Sequence, residues 1–264
     1  MYILTLKPNE EKRIQTHPWV YANEVAKIEG KDKQGSVAKV LDSKGRLVGY
    51  GLINHASKII VRLLSRKDGV FDEAWFEDKI RRAKAYRDTL DYGTAYRAIF
   101  AESDGLPGLI VDRYGDYLSV QFLCLGMDVR KEMIVEILAR VFAPKGIYER
   151  SDVSVREKEG LAQVTGLLYG EVPDLVEIEE NGIKMLVDIK HGQKTGYFLD
   201  QKENRANIRR YARGKRVLDC FCNLGGFGLA SASLAQDVTL VDISETALEV
   251  VRKTANLNGF DNVH

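Results

Sequence analysis

Short runs of alternating or β-branched residues, punctuated by turns, fill residues 1–68, where helical spacing is scarce. Gly35 to Leu41, Leu47 to Ile53 and Ile59 to Leu64 read as strands, with turns at Asp42-Ser43-Lys44-Gly45 and Asn54-His55 between them. The pattern then changes period. Trp75, Ile80, Ala83, Tyr86 and Leu90, mixed with charges, predict an amphipathic helix over Asp72 to Leu90. Strands follow at Ala98 to Glu102, Gly108 to Arg113, Tyr117 to Cys124 and Gly146 to Glu149, with one helix at Met127 to Phe142 before the breaker Pro144. Leu161 to Leu168, Val176 to Glu179 and Ile183 to Asp188 read as further strands.

The last segment carries the candidate chemistry. Val217 to Cys220 is a strand followed by the turn Asn223-Leu224-Gly225-Gly226-Phe227-Gly228 and a helix start, and the next apolar run, Val238 to Val241, ends in Asp242. Paired glycines let backbone N–H groups approach a ligand, and an acid about 20 residues further on is placed to accept both hydroxyls of a ribose. A dinucleotide turn has the spacing Gly-x-Gly-x-x-Gly and receives a pyrophosphate, which Asp219 would repel. The same acid accepts hydrogen bonds from the ammonium of S-adenosylmethionine, so that cofactor fits better. The plain alternative is a βαβ unit whose glycines only tighten a turn.

Charge changes the picture only through its distribution. The 264-residue chain has a net charge of +1. Basic residues nevertheless gather at Lys58, Arg62, Arg66 and Lys67, at Arg81, Arg82, Lys84 and Arg87, and again from Arg205 to Arg216. Each run suits a solvated face; together, if they converge, they suit phosphates, and Lys58, Arg62, Arg66, Arg81 and Arg82 are the candidate RNA contacts. No apolar run reaches the roughly 20 residues of a membrane span, and no signal peptide is read in Met1 to Lys7. The three cysteines Cys124, Cys220 and Cys222 build no disulfide framework and suit a reducing cytoplasm, and Cys220-x-Cys222 has the wrong spacing for a zinc half-site. No metal site is read: Asp104, Asp112 and Asp116 lie among Gly-Leu-Pro-Gly and Tyr-Gly-Asp and are read as turn formers.

Three long segments carry a family resemblance. They are Glu102 to Asp116, His191 to Arg205 (containing Gly192-Gln193-Lys194-Thr195-Gly196-Tyr197-Phe198-Leu199-Asp200-Gln201), and Val217 to Gly228; His17-Pro18-Trp19 adds a fourth. In this order the chain resembles the bacterial and archaeal enzymes that make 5-methylcytosine in large-subunit ribosomal RNA. The resemblance implies a mixed fold, α/β plus α+β. Its parts are a PUA-like β-barrel for RNA binding over 1–68, a small middle α+β domain of β-β-α-β-β type over 69–180, and an incomplete Rossmann-like class I methyltransferase domain over 181–264.

The resemblance also implies S-adenosylmethionine as cofactor and ribosomal RNA as partner, in the cytoplasm and away from membranes. Tyr197, Phe198, Asp200 and Gln201 carry over as pocket residues beside Asp219, Cys220, Phe221, Gly225, Gly226, Phe227, Asp242, Ile243 and Ser244. Trp19 must bury much area and reads as core rather than as a base contact. After a helix from Ser244 to Asn258, closed by Gly259, the sequence leads toward a third strand. The family's Asp-Pro-Pro-x-Phe segment and catalytic cysteine are expected beyond residue 264, so no catalytic residue is named here; Cys220 and Cys222 read as small packing groups. An open sheet edge predicts self-association, a homodimer being the simplest form. Two other classes stay open: an RNA-binding protein without catalysis, and a small-molecule Rossmann enzyme, against which the N-terminal RNA platform argues.

Overall fold

In the first segment, alternation turns one set of apolar side chains onto a common face. The elements are β1 (Tyr2–Leu6), a helical turn α1 (Glu11–Ile14), β2 (Trp19–Tyr21), β3 (Val25–Glu29), β4 (Val37–Leu41), β5 (Leu47–Ile53) and β6 (Ile59–Ser65). They form a six-stranded sheet in the order β2-β6-β5-β4-β1-β3. Only β1 beside β4 is parallel. Leu4, Leu6, Ile14, Val20, Val40 and Val61 are fully buried in its core. Expected and observed strands agree here to within two residues.

Helix α2 (Glu73–Asp88) starts where the Asp72 side chain accepts the Trp75 N–H. A five-stranded sheet, ordered β11-β10-β9-β8-β7, is built from β7 (Ala95–Phe100), β8 (Leu109–Tyr114), β9 (Tyr117–Phe122), β10 (Gly146–Ser151) and β11 (Val164–Gly170). Two expectations change. The strand expected at Ala98 to Glu102 begins earlier and gives way to a 3-10 turn at Ala101–Asp104, entered by Ala101 at φ 42°.

The single helix expected over Met127 to Phe142 is two, α3 (Leu125–Asp128) and α4 (Lys131–Phe142). The reason lies in Arg130: its guanidinium takes the Gly126 carbonyl at 2.7 Å, while its own N–H turns to Met127 O at 3.0 Å. A continuous α-helix would need the N–H on Gly126.

The computed structural model describes residues 1–264, and they group into two compact units. Unit 1 holds Met1–Asp91, Ala98–Val111 and Val120–Gly170; unit 2 holds Tyr92–Arg97, Asp112–Ser119 and Glu171–His264. In unit 2 a hairpin of β12 (Val176–Glu180) and β13 (Ile183–Val187) precedes α5 (Lys202–Ala212), β14 (Arg216–Cys220), α6 (Gly226–Ala232), β15 (Asp237–Val241) and α7 (Glu245–Leu257).

Strands β14 and β15 are parallel, in the register Asp219 to Leu240 and Cys220 to Val241. Cys222, Ala232, Val238, Leu240 and Val251 form the core beneath them. The outer face is open, leaving Leu218 65% and Val241 49% exposed. Residues 262–264 pair with β15 in parallel. Ser244 caps α7 by accepting the Ala247 N–H, as its position in the sequence suggests. No helix is long and apolar enough to cross a membrane.

Candidate functional site

The parallel strands deliver two carboxylates to one end of their sheet. Asp219 is the penultimate residue of β14, and Asp242 follows the last residue of β15. Between Cys220 and Gly226 the chain turns through three left-handed residues: Phe221 at φ 60°, Asn223 at φ 51° and Gly225 at φ 68°. Asn adopts that region readily, but a bulky residue there is uncommon, and such strain costs on the order of 1–3 kcal/mol. The turn is held by Cys222 N–H on Val241 O at 3.1 Å and by Gly225 N–H on Cys222 O at 2.8 Å. Phe221 is 92% exposed, so its strained backbone presents an aromatic ring to solvent at the mouth of the turn.

Asp242 is oriented by the backbone. Its Oδ1 accepts the Ser244 N–H at 2.9 Å and its Oδ2 the Asn223 N–H at 2.8 Å. These bonds hold its carboxyl below the usual carboxylate range, so it is ionised and oriented. Each oxygen keeps a lone pair for a hydroxyl donor. Beside it, Ile243 is fully exposed, an apolar surface of the size an aromatic base covers.

Asp219 is held differently. Its Oδ2 accepts the Gly228 N–H at 2.9 Å, and burial, with a smaller push from the charge of Asp242, raises its carboxyl above the ordinary value. A first-turn amide of α6 is thus already spent on the protein's own acid, at the place where a dinucleotide fold would offer it to a pyrophosphate. Oδ1 has no partner in the chain and is free to accept from a cation. The geometry favours a ligand with a ribose at one end and an ammonium at the other.

The His191 to Arg205 segment reaches the same place. A Cβ on Gly226 would lie 2.6 Å from Tyr197 Oη and 2.8 Å from Arg205 Cδ, so only glycine lets these side chains pack on the turn. Gly196, at φ 133°, meets Ile189 Cα at 3.1 Å from its ideal Cβ position, which fixes the sharp bend just before Tyr197. Tyr197 is buried, and its hydroxyl donates to Glu180 Oε1 at 3.3 Å. Burial and the nearby Glu180 charge push that phenol well above its usual range, so it keeps its proton. Tyr197 therefore packs on the glycine turn as a neutral phenol.

Phe198 lies under the Lys194 ammonium, 4.3 Å from the ring centre. Asp200 is exposed, and the Gln201 amide, 3.1 Å away, holds its carboxyl below the usual range. Phe227 is part-exposed under Arg205, and Ser244 and Cys220 stand exposed at the two strand ends.

Several expected roles are corrected. Arg62 is buried, with its guanidinium on Glu159 at 2.9 Å and Glu102 at 3.3 Å, so it is spent inside unit 1 and offers no phosphate contact. Arg81 and Arg82 are exposed and each is paired one helical turn away, with Glu77 and Asp78. Arg66 donates to the carbonyls of Ile14 and Gln15, while Lys58 remains exposed.

Asp112 is no turn former: it lies inside β8, 1% exposed, paired with Arg97 at 2.8 Å. Asp104, likewise, is held by Arg87 rather than by a turn alone. Trp19 is half-buried, and its indole N–H reaches Glu102 at 2.7 Å. Arg205, read as part of a basic run, is buried against Glu180 at 2.5 Å. Arg210, Arg213, Lys215 and Arg216 of that run are exposed. Cys124 and Cys222 are buried, and burial pushes both thiols up to about 11. No group of acids, histidines and cysteines is arranged to hold a metal ion.

The parallel strands and the glycine turn have the form of a Rossmann-like methyltransferase domain, and the six-stranded sheet before them that of a PUA-like domain. Two family models agree, a PUA-like domain over residues 4–66 and an S-adenosylmethionine-dependent methyltransferase over residues 153–264. The chain belongs to the ribosomal RNA large subunit methyltransferase I family. It is 45% identical to the enzyme of that name from Shewanella amazonensis, matching over 99% of the chain and 68% of the relative. It is 43% identical to that of Tolumonas auensis, over 97% of the chain and 66% of the relative, and so spans about two thirds of their length. A Streptococcus mutans protein described as a SAM-dependent methyltransferase shares the fold over 100% of this chain and 70% of its own, with a TM-score of 0.83 at 24% identity.

Proposed function

We propose that the protein methylates large-subunit ribosomal RNA, with S-adenosylmethionine as methyl donor and carbon 5 of a cytosine as acceptor. The observation that carries this reading is the acid pair on the glycine turn: an ionised Asp242 oriented for a ribose, and an Asp219 oxygen open to an ammonium. The bound cofactor would supply an electrophilic methyl sulfonium. Asp242 would hold the ribose, Asp219 the methionine ammonium, and Ile243 and Phe221 would shield the adenosine from water. Tyr197 and the glycine turn would close the other side. Methylation at carbon 5 also needs a thiolate that adds to carbon 6. The Cys124 and Cys222 thiols, pushed up to about 11 by burial, are unsuited to that role, and no nucleophile is assigned among these residues. Three free cysteines fit a reducing cytoplasm. A homodimer belongs to the same proposal.

Transfer of a labelled methyl group from S-adenosylmethionine to unmodified large-subunit RNA, followed by nucleoside analysis, tests the reading. Label in 5-methylcytidine is expected; label in another nucleoside, or transfer to small molecules only, would contradict it.

The raised Asp219 carboxyl gives a second expectation, read by calorimetry from mildly acidic to neutral pH. A ligand ammonium pairs with the ionised form, so cofactor affinity should strengthen as pH rises through the Asp219 titration and level off above it. Affinity that falls over this window would reverse the assignment. For folding the signs differ. Asp219, raised in the fold, contributes stability at low pH that is lost as pH rises; Asp242, lowered, contributes stability that is lost as pH falls.

A further inference from the structure

Beneath the cofactor segment lies a set of buried polar side chains that the binding role does not use. Asp112 and Tyr114 lie in the part of β8 that belongs to unit 2, and with Thr195 they are at most 1% exposed. Asp112 accepts Arg97 Nε at 2.8 Å and Nη2 at 3.0 Å, and the Thr195 hydroxyl at 2.6 Å. The Tyr114 hydroxyl lies 3.1 Å from Thr195 Oγ1, accepts the Tyr197 N–H at 3.2 Å, and faces Tyr197 O at 3.3 Å.

Thr195 has one proton, and Asp112 takes it. The Tyr114 proton therefore serves Thr195 Oγ1 or Tyr197 O, and every donor in the set has an acceptor within reach. Burial keeps that phenol protonated by pushing it well above its usual range. A buried polar group left unpaired carries its full desolvation cost, so the set as a whole has one low-energy geometry. That geometry fixes both ends of residues 195–197. Tyr197 then passes it to the turn, because its hydroxyl lies 2.6 Å from where a Gly226 Cβ would be.

We propose that Asp112 is a positioning residue, which through Thr195 and Tyr114 sets the backbone of residues 195–197 against the glycine turn and thereby sets cofactor affinity. The inference rests on the reading of that turn as the S-adenosylmethionine site. Its sequence position, inside a strand of the Glu102 to Asp116 motif, gives that motif a task that a turn former would not have.

Three variants of the full-length protein separate positioning from simple stability. Thr195→Val keeps shape and removes the donor, Thr195→Ser restores it, and Tyr114→Phe removes one hydroxyl only. S-adenosylhomocysteine binding is measured by calorimetry well below each variant's Tm, beside hydrogen exchange at the Tyr197 amide. Thr195→Val and Tyr114→Phe are expected to weaken binding about tenfold, the order of one lost hydrogen bond to a charged or buried partner. Thr195→Ser should stay within about twofold of the parent, inside the few-tenths error of such contact arguments. Exchange at Tyr197 should quicken in Tyr114→Phe.

Lower Tm with unchanged affinity in both hydroxyl-deleting variants would overturn the positioning role while leaving the pocket intact. A parent protein that does not bind S-adenosylhomocysteine would overturn the pocket reading and this proposal together. Should Thr195→Val fail to fold, Tyr114→Phe, the smaller change, decides alone.

Discussion

Asp242→Ala is expected to weaken binding of S-adenosylmethionine by at least tenfold. The carboxylate does two things at once: it would accept ribose hydroxyls, and it holds the Asn223 and Ser244 N–H groups at 2.8 and 2.9 Å, which shapes the loop on either side of the ligand. Hydrogen bonds to a charged group contribute about 1.5–3 kcal/mol each, and 1.4 kcal/mol is a factor of ten. Asp242→Asn keeps one acceptor oxygen and should fall between parent and Ala. Equal dissociation constants for parent and Asp242→Ala, measured by calorimetry, would remove Asp242 from the site.

The largest effect on stability is expected at Glu180. Its carboxylate holds the Arg205 guanidinium at 2.5 and 2.8 Å, with both side chains at most 5% exposed, and Arg205 Nη2 also donates to Phe198 O at 2.9 Å. Glu180→Ala leaves a buried cation without its counter-charge, which costs about 3–5 kcal/mol and, for a chain of this size, lowers Tm by roughly 10 °C. Glu180→Met combined with Arg205→Met removes both charges and should recover most of the loss. Denaturant unfolding measures both. A loss under about 1 kcal/mol in Glu180→Ala, the range of an exposed pair, would mean that the pair is solvated and does not anchor the cofactor segment.

Legibility in the sequence followed the type of force. The strands of the first sheet and the acids Asp219 and Asp242 were readable because period, turn residues and spacing are local properties. Asp219 and Asp242 lie at the same end of their sheet, since a parallel pair brings strand ends together. The buried ion pairs were not readable. Arg62, Arg87 and Arg205 look like parts of basic runs, and only the fold supplies Glu159, Asp104 and Glu180 as their partners. A signal for Asp112 did exist: an acid that directly follows the apolar run Leu109-Ile110-Val111 in one strand must find a partner where it is buried, and Arg97 supplies it. The break between α3 and α4 hinged on one side chain, Arg130, competing with its own backbone, which no periodicity encodes.

On the proposed reading, the glycine turn and its two acids form an S-adenosylmethionine site. Isothermal titration of the full-length protein with S-adenosylmethionine, S-adenosylhomocysteine and NAD tests it most directly. One site is expected for each of the first two ligands, both lost or weakened at least tenfold in Asp242→Ala, and no heat with NAD. Binding of NAD in preference to the sulfonium cofactor, with Asp242→Ala leaving S-adenosylmethionine affinity unchanged, would contradict it.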